Sequence, residues 1–520
     1  MSKNHIMKRI TSSPCFLYFL ALIKIIVPYL LQSSFYEPHR DEMLYLAEGH
    51  HLAWGFMEVP PVLSIFAWLT HLLGGGMFWL KLWPSLFGAA TFIVAGKIVQ
   101  SLGGGKWAVF LLFLPFVFGA YLRLFFLFQP NPPEIFFWTL MAFALIRFVQ
   151  TNKNKWLYVF GISAGLGLMS KYSAIFFIMS LLAGLLLTPH RKIFLNKHFW
   201  MASFIGLLIF LPNIIWQIRH GLPVAHHMKM LSKYQLQYVS HRSFLVDQLL
   251  MNLPCVFIWL AGLFFLLLNA EGKKYRFIGF AFVLEIILLL VFRGKNYYSL
   301  GLYPVVFAFG ACFVERATAK RFRAIRYALV FFAIAFGVIM VPMTLPVFEP
   351  GKLAAYYQKT GAAKIGVLKW EDLKDHPLPQ DFSDMLGWNE MAQKVAKAYS
   401  ILDDSSKKEV FIFCNNYGMA GAVNFFGKHY HLPEAYSDDA SFLNWIPSNK
   451  YISDMILVTD DPHEEQHDFA KGFISVDRID SVTNEYARET GDYIYLFRGA
   501  DDNFRRFFKV KIEKDKAAFK

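Results

Sequence analysis

Charge is scarce in this chain. Only 17% of its 520 residues are Asp, Glu, Lys or Arg, against roughly 25% in a soluble domain. Cysteine is scarcer still. Cys15, Cys255, Cys312 and Cys414 are the full set. They show no paired spacing, so neither a disulfide framework nor a cysteine-rich zinc site is expected. No GxGxxG follows any strand-like segment, which argues against a dinucleotide site. Internal repeats and low-complexity tracts are absent as well. Acidic residues number 38 against 52 Lys plus Arg, for a formal net charge of +14. In a soluble protein that excess would favour nucleic acid. Here it is better explained by basic loops on the cytoplasmic side of a membrane, and no nucleic-acid partner is expected.

What fills the chain is apolar. Hydrophobic residues make up 56%, with 55 Phe, 24 Tyr and 13 Trp, and the mean hydropathy is +0.37. These values place it among polytopic membrane proteins whose partner is a lipid bilayer. The basic start (Lys3, Lys8, Arg9) and the apolar stretch from about 14 to 31 could be taken for a signal peptide. No small-x-small cleavage site follows, so the stretch is read as a retained first span. Further spans are expected near 79–99, 107–127, 134–149, 156–170, 173–188, 198–216, 253–269, 277–292, 300–315 and 327–347, which makes about eleven. Residues 60–73 are apolar but short, and read as a helix lying at the interface.

The basic residues test this layout. With the N-terminus inside, the inner loops carry Lys3, Lys8 and Arg9, then Lys106, then Lys153 and Lys155. Arg191, Lys192 and Lys197 follow, then Lys273, Lys274 and Arg276, and finally Arg316, Lys320, Arg321, Arg323 and Arg326. Every inner loop is basic, so the orientation is self-consistent. An odd span count puts the C-terminal part outside. The 217–252 segment is expected to be a long outer loop.

After about residue 349 charged residues become frequent and long apolar runs stop. Segments 409–414, 455–458 and 493–497 read as strands. Asn416-Tyr417-Gly418 leads into a helix rich in small residues, and 388–402 carries a helix signal. The fold class expected is therefore an α-helical polytopic membrane protein with a C-terminal extracytoplasmic α/β domain. The expected division is 1–348 for the transmembrane catalytic domain and 349–520 for the soluble one.

Two adjacent carboxylates, Asp41 and Glu42, follow the first apolar run. Burying a charge near hydrocarbon is costly unless it is paired or functional. A carboxylate can take the proton of an acceptor hydroxyl as a glycosidic bond breaks. Neighbours in sequence point in different directions, so one can act as base while the other binds acceptor or metal. The plainer reading is a solvated loop pair or the start of an interfacial helix. Glu58 precedes Pro60-Pro61, which favour a sharp helix start and could aim Glu58 back toward Asp41. Its plainer reading is a loop carboxylate near a helix dipole.

Outward-facing cations are the second signal. Arg40, Arg123, Lys171, Arg219, Arg242, Arg293 and Lys295 sit where basic residues are otherwise avoided. A leaving lipid phosphate needs such groups. Lys171 interrupts an apolar stretch, and Lys295 stands in Gly294-Lys295-Asn296-Tyr297-Tyr298. Snorkelling to the interface is the plainer reading of each. His226-His227 reads as ordinary loop polarity.

The pattern of Asp41-Glu42-Met43-Leu44-Tyr45-Leu46-Ala47, Trp54-Gly55-Phe56 and Pro60-Pro61 resembles the first outer loop of bacterial glycosyltransferase family 39 proteins. These are relatives of the protein O-mannosyltransferases and of the lipid A aminoarabinose transferase. Leu102-Gly103-Gly104-Gly105-Lys106-Trp107, Phe128-Gln129-Pro130-Asn131 with Trp138, and Leu211-Pro212-Asn213 with Trp216-Gln217 also fit. So do Lys295 with Tyr297-Tyr298 and Tyr303-Pro304, and Asp384-Met385-Leu386-Gly387-Trp388 with Asn416-Tyr417-Gly418.

The resemblance implies a GT-C fold, a polyprenyl-phosphate sugar donor, inversion at the anomeric carbon and a bacterial inner-membrane location. It implies that Asp41 is the base and that Glu42 positions the acceptor or a metal. Arg40, Lys171, Arg293, Lys295, Tyr297 and Tyr298 become candidates for the donor phosphate. Glu58, Gln129, Asn131 and Glu134 become auxiliary or acceptor-side candidates. The acceptor is a glycan, lipid or protein hydroxyl. Relatives often carry Lys or His just before the proline pair, where this chain has Val59. No cofactor is firmly implied; a divalent metal is left open, with Asp41 and Glu58 as its candidate ligands. The competing classes are a secondary transporter, which the missing repeat disfavours, and a non-catalytic membrane scaffold.

Overall fold

The computed structural model describes residues 14–319 and 322–518. Lys3, Lys8, Arg9, Lys320 and Arg321, counted above as inner-face cations, lie outside the described residues. The chain divides into two compact units. The first holds the residues up to Leu31 together with Lys81–Ile214 and Met230–Leu345. The second holds Gln32–Leu80, Ile215–Lys229 and Pro346–Lys520, so the segment carrying Asp41 and Glu58 groups with the C-terminal residues.

The first unit is helical. Each expected span coincides with a helix. Five of the described helices or joined helical stretches are long and apolar enough to cross a membrane: Met77–Ser101, Asn131–Thr151, Lys197–Arg219, Asn296–Ala317 and Arg323–Thr344. Counting two sharply bent helix pairs raises this to seven, short of the eleven expected. The shortfall has local causes. The expected 107–127 span stops at Phe118, where Gly119 turns extended, and resumes only as the four-residue Tyr121–Leu124 helix. The expected 156–170 and 277–292 spans fall on the shorter Lys155–Leu168 and Arg276–Val291 helices. The expected 253–269 span, one of the seven, is joined at a 64° bend to the preceding His241–Leu250 helix. That helix and Pro223–Tyr234 occupy the 217–252 stretch expected to be a loop.

Helix packing here relies on close backbone approach, as expected where lipid tails remove most of the hydrophobic drive between helices. Val256–Leu267 and Tyr303–Ala317 meet at Gly262 and Gly310. A Cβ on Gly310 would lie 1.8 Å from the Ile258 carbonyl oxygen, and one on Gly262 would lie 2.2 Å from that of Val306. No side chain fits in either gap. Around this seam lies one apolar core that includes Phe116, Tyr121, Trp138, Met141 and Tyr303.

In the second unit a five-stranded sheet runs in the order β2-β1-β3-β5-β4. β1 is Phe411–Cys414, β2 Ala435–Tyr436, β3 Met455–Thr459, β4 Phe473–Ser481 and β5 Tyr493–Ala500. β1 pairs in parallel with β2 and β3, while β5 is antiparallel to β3 and β4. β1 and β3 are buried along their whole length, which is why they read as unbroken apolar runs. β4 was not expected from the sequence. Eight of its nine residues are partly or fully exposed and three, Asp477, Arg478 and Asp480, are charged, as suits an edge strand.

The Trp388–Ser400 and Tyr417–Phe426 helices cover this sheet, with Met43 and Leu44 in the same apolar cluster. A Cβ on Gly421 would come 2.8 Å from that of Met43. The small residues after Asn416 therefore let the Arg40–Glu48 helix approach closely.

Replacing Gly310 with Leu should cost at least about 1–3 kcal/mol, the usual penalty for overpacking. The check is thermal unfolding in detergent, where Gly310→Leu should melt well below the parent and Gly310→Ala between the two.

Candidate functional site

Each unit holds its own cluster of functional side chains. In the second unit the Arg40–Glu48 helix starts with a capping box. The Glu42 carboxylate accepts the His39 backbone N–H at 2.8 Å, and His39 Nδ1 accepts the Asp41 N–H at 3.2 Å. Glu42 is thus turned inward and fully buried, while Asp41 keeps a side chain 30% exposed. The two neighbours do point apart, as expected. The inward one spends its carboxylate on the helix start.

Asp41 is anchored at one oxygen, where Oδ1 accepts the Tyr417 hydroxyl at 2.7 Å. Burial first, and then the Asp41 charge, hold the Tyr417 phenol well above its ordinary range, so it stays a donor. The Arg40 guanidinium lies 4.7 Å from the centre of the Tyr417 ring, and its Nη2 is 3.4 Å from Asn416 Oδ1. Asn416 Oδ1 also caps the Tyr417–Phe426 helix at Met419 N–H. Arg40, expected on a phosphate, is here 8% exposed and packed on this ring.

His39 Nε2 faces Asp384 Oδ2 at 3.6 Å and Asp381 Oδ1 at 3.9 Å. Burial alone would lower the imidazole pKa; Asp381, Asp41 and Asp384 outweigh it and raise it to about 8. Arg488 Nη1 sits 3.3 Å from Asp384 Oδ1. The backbone ties this group together, since Arg40 N–H donates to the Asp384 carbonyl and Glu37 N–H to that of Met385. Glu37 in turn accepts the Trp388 and Asn389 N–H groups at the start of their helix.

Glu58 is bound bidentately to Ser441, one oxygen on the backbone N–H and one on the hydroxyl, each at 2.7 Å. Burial raises its pKa to about 7, against the pull of those Ser441 bonds. Asp41, Tyr45 and Glu48 stand at i, i+4 and i+7 on one helical face. Burial first, then Asp41, Glu48, Tyr417 and Glu58, push the Tyr45 phenol well up. Glu48 is 0% exposed, and neither of its carboxyl oxygens has a hydrogen-bond partner among the described residues. Burial, reinforced by Glu58, holds it protonated well above the ordinary carboxylate range.

In the first unit Lys171 and Glu134 form an ion pair at 3.4 Å, with Ser173 donating to the other Glu134 oxygen at 2.5 Å. The Lys171 ammonium lies over Tyr298 at 4.4 Å and Tyr297 at 5.5 Å. Four of the sequence-selected residues thus converge. Ser173 joins them, although its own residue type carried no signal. Asn131 is buried at the start of the Glu134 helix, with Gln129 two residues before it. Lys295 immediately precedes the Asn296–Leu302 turn. Arg293 does not join the cluster, because its Nη1 donates to the Gln237 carbonyl at 2.6 Å.

His39 and Ser441 escaped the sequence reading, and Asp381 lay just outside the quoted motif. A histidine two positions before the acidic pair was the one available signal. The partners from 381–441 are roughly 340–380 positions away, and no local pattern connects them.

Glu58 gives a pH prediction. Its pKa rises from 4.5 to about 7 in the folded state. Between these values the folded chain binds more protons than the unfolded one, so this group's contribution to stability falls as pH rises through that window. Glu58→Gln should flatten that part of the melting temperature profile between pH 4.5 and 7.5. An unchanged slope would place the titration elsewhere.

Residues 58–216 match the family model for dolichyl-phosphate-mannose-protein mannosyltransferase. Lipid A galacturonosyltransferase RgtD of Rhizobium johnstonii is 24% identical over 193 residues, covering 36% of this chain and 40% of that relative. The chain thus matches well under half the length of this curated relative. The crystal structure of ArnT from Cupriavidus metallidurans bound to undecaprenyl phosphate shares 11% identity and a TM-score of 0.61, over 93% of this chain and 97% of that one. The apo state of the same protein gives 0.59 at the same identity and coverage. At this identity the likeness is one of fold. The family model covers under a third of the chain, and over 58–216 the chain is similar to that family; over nearly its whole length it shares the fold of ArnT.

Proposed function

We propose that this chain is an inverting membrane glycosyltransferase. It moves a sugar from a polyprenyl-phosphate donor to an acceptor hydroxyl on lipid A, another glycan or a protein. The observation that carries the reading is Asp41, a partly exposed carboxylate anchored at one oxygen by Tyr417 on a rigidly capped helix. Such anchoring restricts the orientation of a general base, which catalysis needs.

In the reaction, the acceptor hydroxyl gives its proton to Asp41 and its oxygen bonds to the anomeric carbon. The bond from that carbon to the phosphate oxygen breaks, and the lipid phosphate leaves with the electron pair. Lys171, beside Tyr297 and Tyr298, and Lys295 are assigned to the phosphate. Glu134 orients Lys171 through their ion pair. Glu42 serves the helix start. The relative acting on lipid A and the neighbour with bound undecaprenyl phosphate support these substrate classes. The reading places the protein in the bacterial cytoplasmic membrane, N-terminus inside and residues 349–520 on the extracytoplasmic face.

The test is turnover of a panel of radiolabelled polyprenyl-phosphate sugars by purified protein in liposomes, with varied acceptors. One donor should be consumed. Asp41→Asn should retain folding and lose about 10²–10⁴-fold in rate, the usual worth of a general base. Lys171→Met should lower turnover by about tenfold or more, as expected for loss of a charge-assisted contact. Parental turnover by well-folded Asp41→Asn would remove the base assignment. No turnover with any donor would overturn the reading.

A further inference from the structure

We propose that His39, Asp381 and Asp384 form a binding site for a divalent transition-metal ion of the zinc or cobalt class. One ligand atom from each lies within 4.8 Å of the other two. His39 Nε2 is 3.6 Å from Asp384 Oδ2 and 3.9 Å from Asp381 Oδ1. These gaps are too long for direct hydrogen bonds. They are close to the separation of about 3.4 Å that two ligands show across a tetrahedral ion with bonds near 2.1 Å. One imidazole and two carboxylates suit zinc and its neighbours.

The second observation is the imidazole itself. His39 is 3% exposed, and its Nε2 has no hydrogen-bond partner among the described residues. No direct hydrogen bond satisfies this buried atom; it is aimed at the two carboxylates, which reach it only over the longer ion-pair distances. Asp381 and Asp384 are three residues apart on one short turn, Gln380–Ser383 with Asp384 as its cap. The backbone bonds from Glu37 and Arg40 to Met385 and Asp384 hold the histidine segment against that turn without any ion. The site is therefore built by the chain. Arg488 is nearer Asp384 Oδ1, at 3.3 Å, than Oδ2, at 3.5 Å, and Oδ2 is the oxygen facing His39. Asp381 has a side chain 43% exposed, which gives an ion access and leaves room for water ligands.

An ion here would reach Asp41 through the ring. With Nε2 on the metal, the ring proton sits on Nδ1. Ion binding at Nε2 would therefore compete with the bond that Nδ1 now accepts from the Asp41 N–H, which couples the site to the start of the Asp41 helix. The binding inference itself stands apart from the sugar-transfer reading.

The test uses untagged, full-length protein in detergent, stripped with chelator. Co2+ alone is titrated by calorimetry and visible absorption, and Zn2+ is then added as competitor. The expected result is one equivalent of Co2+ with d–d bands that Zn2+ abolishes. Asp381→Asn and Asp384→Asn should each weaken binding at least about tenfold, the usual loss when a ligand shell is damaged. Asp381 is exposed, so its variant tests the site without threatening the fold. His467→Gln, on an exposed histidine elsewhere, should bind as the parent does. Absence of one-equivalent binding, or binding that survives both Asp variants, would overturn the site.

Discussion

The start of the Arg40–Glu48 helix is the constraint on which the second unit's chemistry depends. A buried glutamate accepts the His39 N–H, and the His39 ring accepts that of Asp41. Exposed helix N-termini can leave such groups to water. Here the end is buried, and both donors must be answered by protein. Answering them sets the roles of two adjacent acids. Glu42 is consumed by the fold, and Asp41 is left at the surface of the cluster with Tyr417 on one oxygen.

Everything next to that helix start is tied by backbone to distant sequence. Arg40 and Glu37 bond to the 384–385 segment, and Glu37 also caps the Trp388 helix. A single segment of about ten residues therefore joins two turns of the C-terminal region. The tie brings His39, Asp381 and Asp384 together and places Arg488 beside them. The concentration of carboxylates has an electrostatic consequence. Glu48 and Glu58 keep their protons more readily than free carboxylates do, because burial penalises their charged forms.

The first unit solves a different problem. Its helices are apolar on most faces, so packing comes from close backbone contact at small residues such as Gly262 and Gly310. Against that background the Glu134–Lys171 pair stands out. Neither charge would be stable alone in such surroundings. Paired with each other, with Ser173 and with two tyrosine faces, they form one polar cluster within the unit.

The sequence by itself determined the membrane class, a helix at each expected span, three of the five strands and the change of composition near residue 349; the two helices within 217–252 escaped it. The features it determined follow from hydropathy, from charge placement and from buried strands that read as apolar runs. It also singled out Asp41 and Lys171, because charge beside hydrocarbon is unfavourable and so conspicuous, while Glu134, Tyr297 and Tyr298 entered as candidates through the family resemblance. Tertiary structure decided the rest. Whether an apolar run forms one straight span depends on breaks such as Gly119 and on bends that composition does not encode. Edge strand β4 has no apolar period to detect. Glu42 and Glu58 look like catalytic candidates in sequence, and their bonds to His39 and Ser441 exist only in the fold. The His39, Asp381 and Asp384 cluster joins segments some 340 residues apart, and only the folded backbone sets ligand distances of that kind.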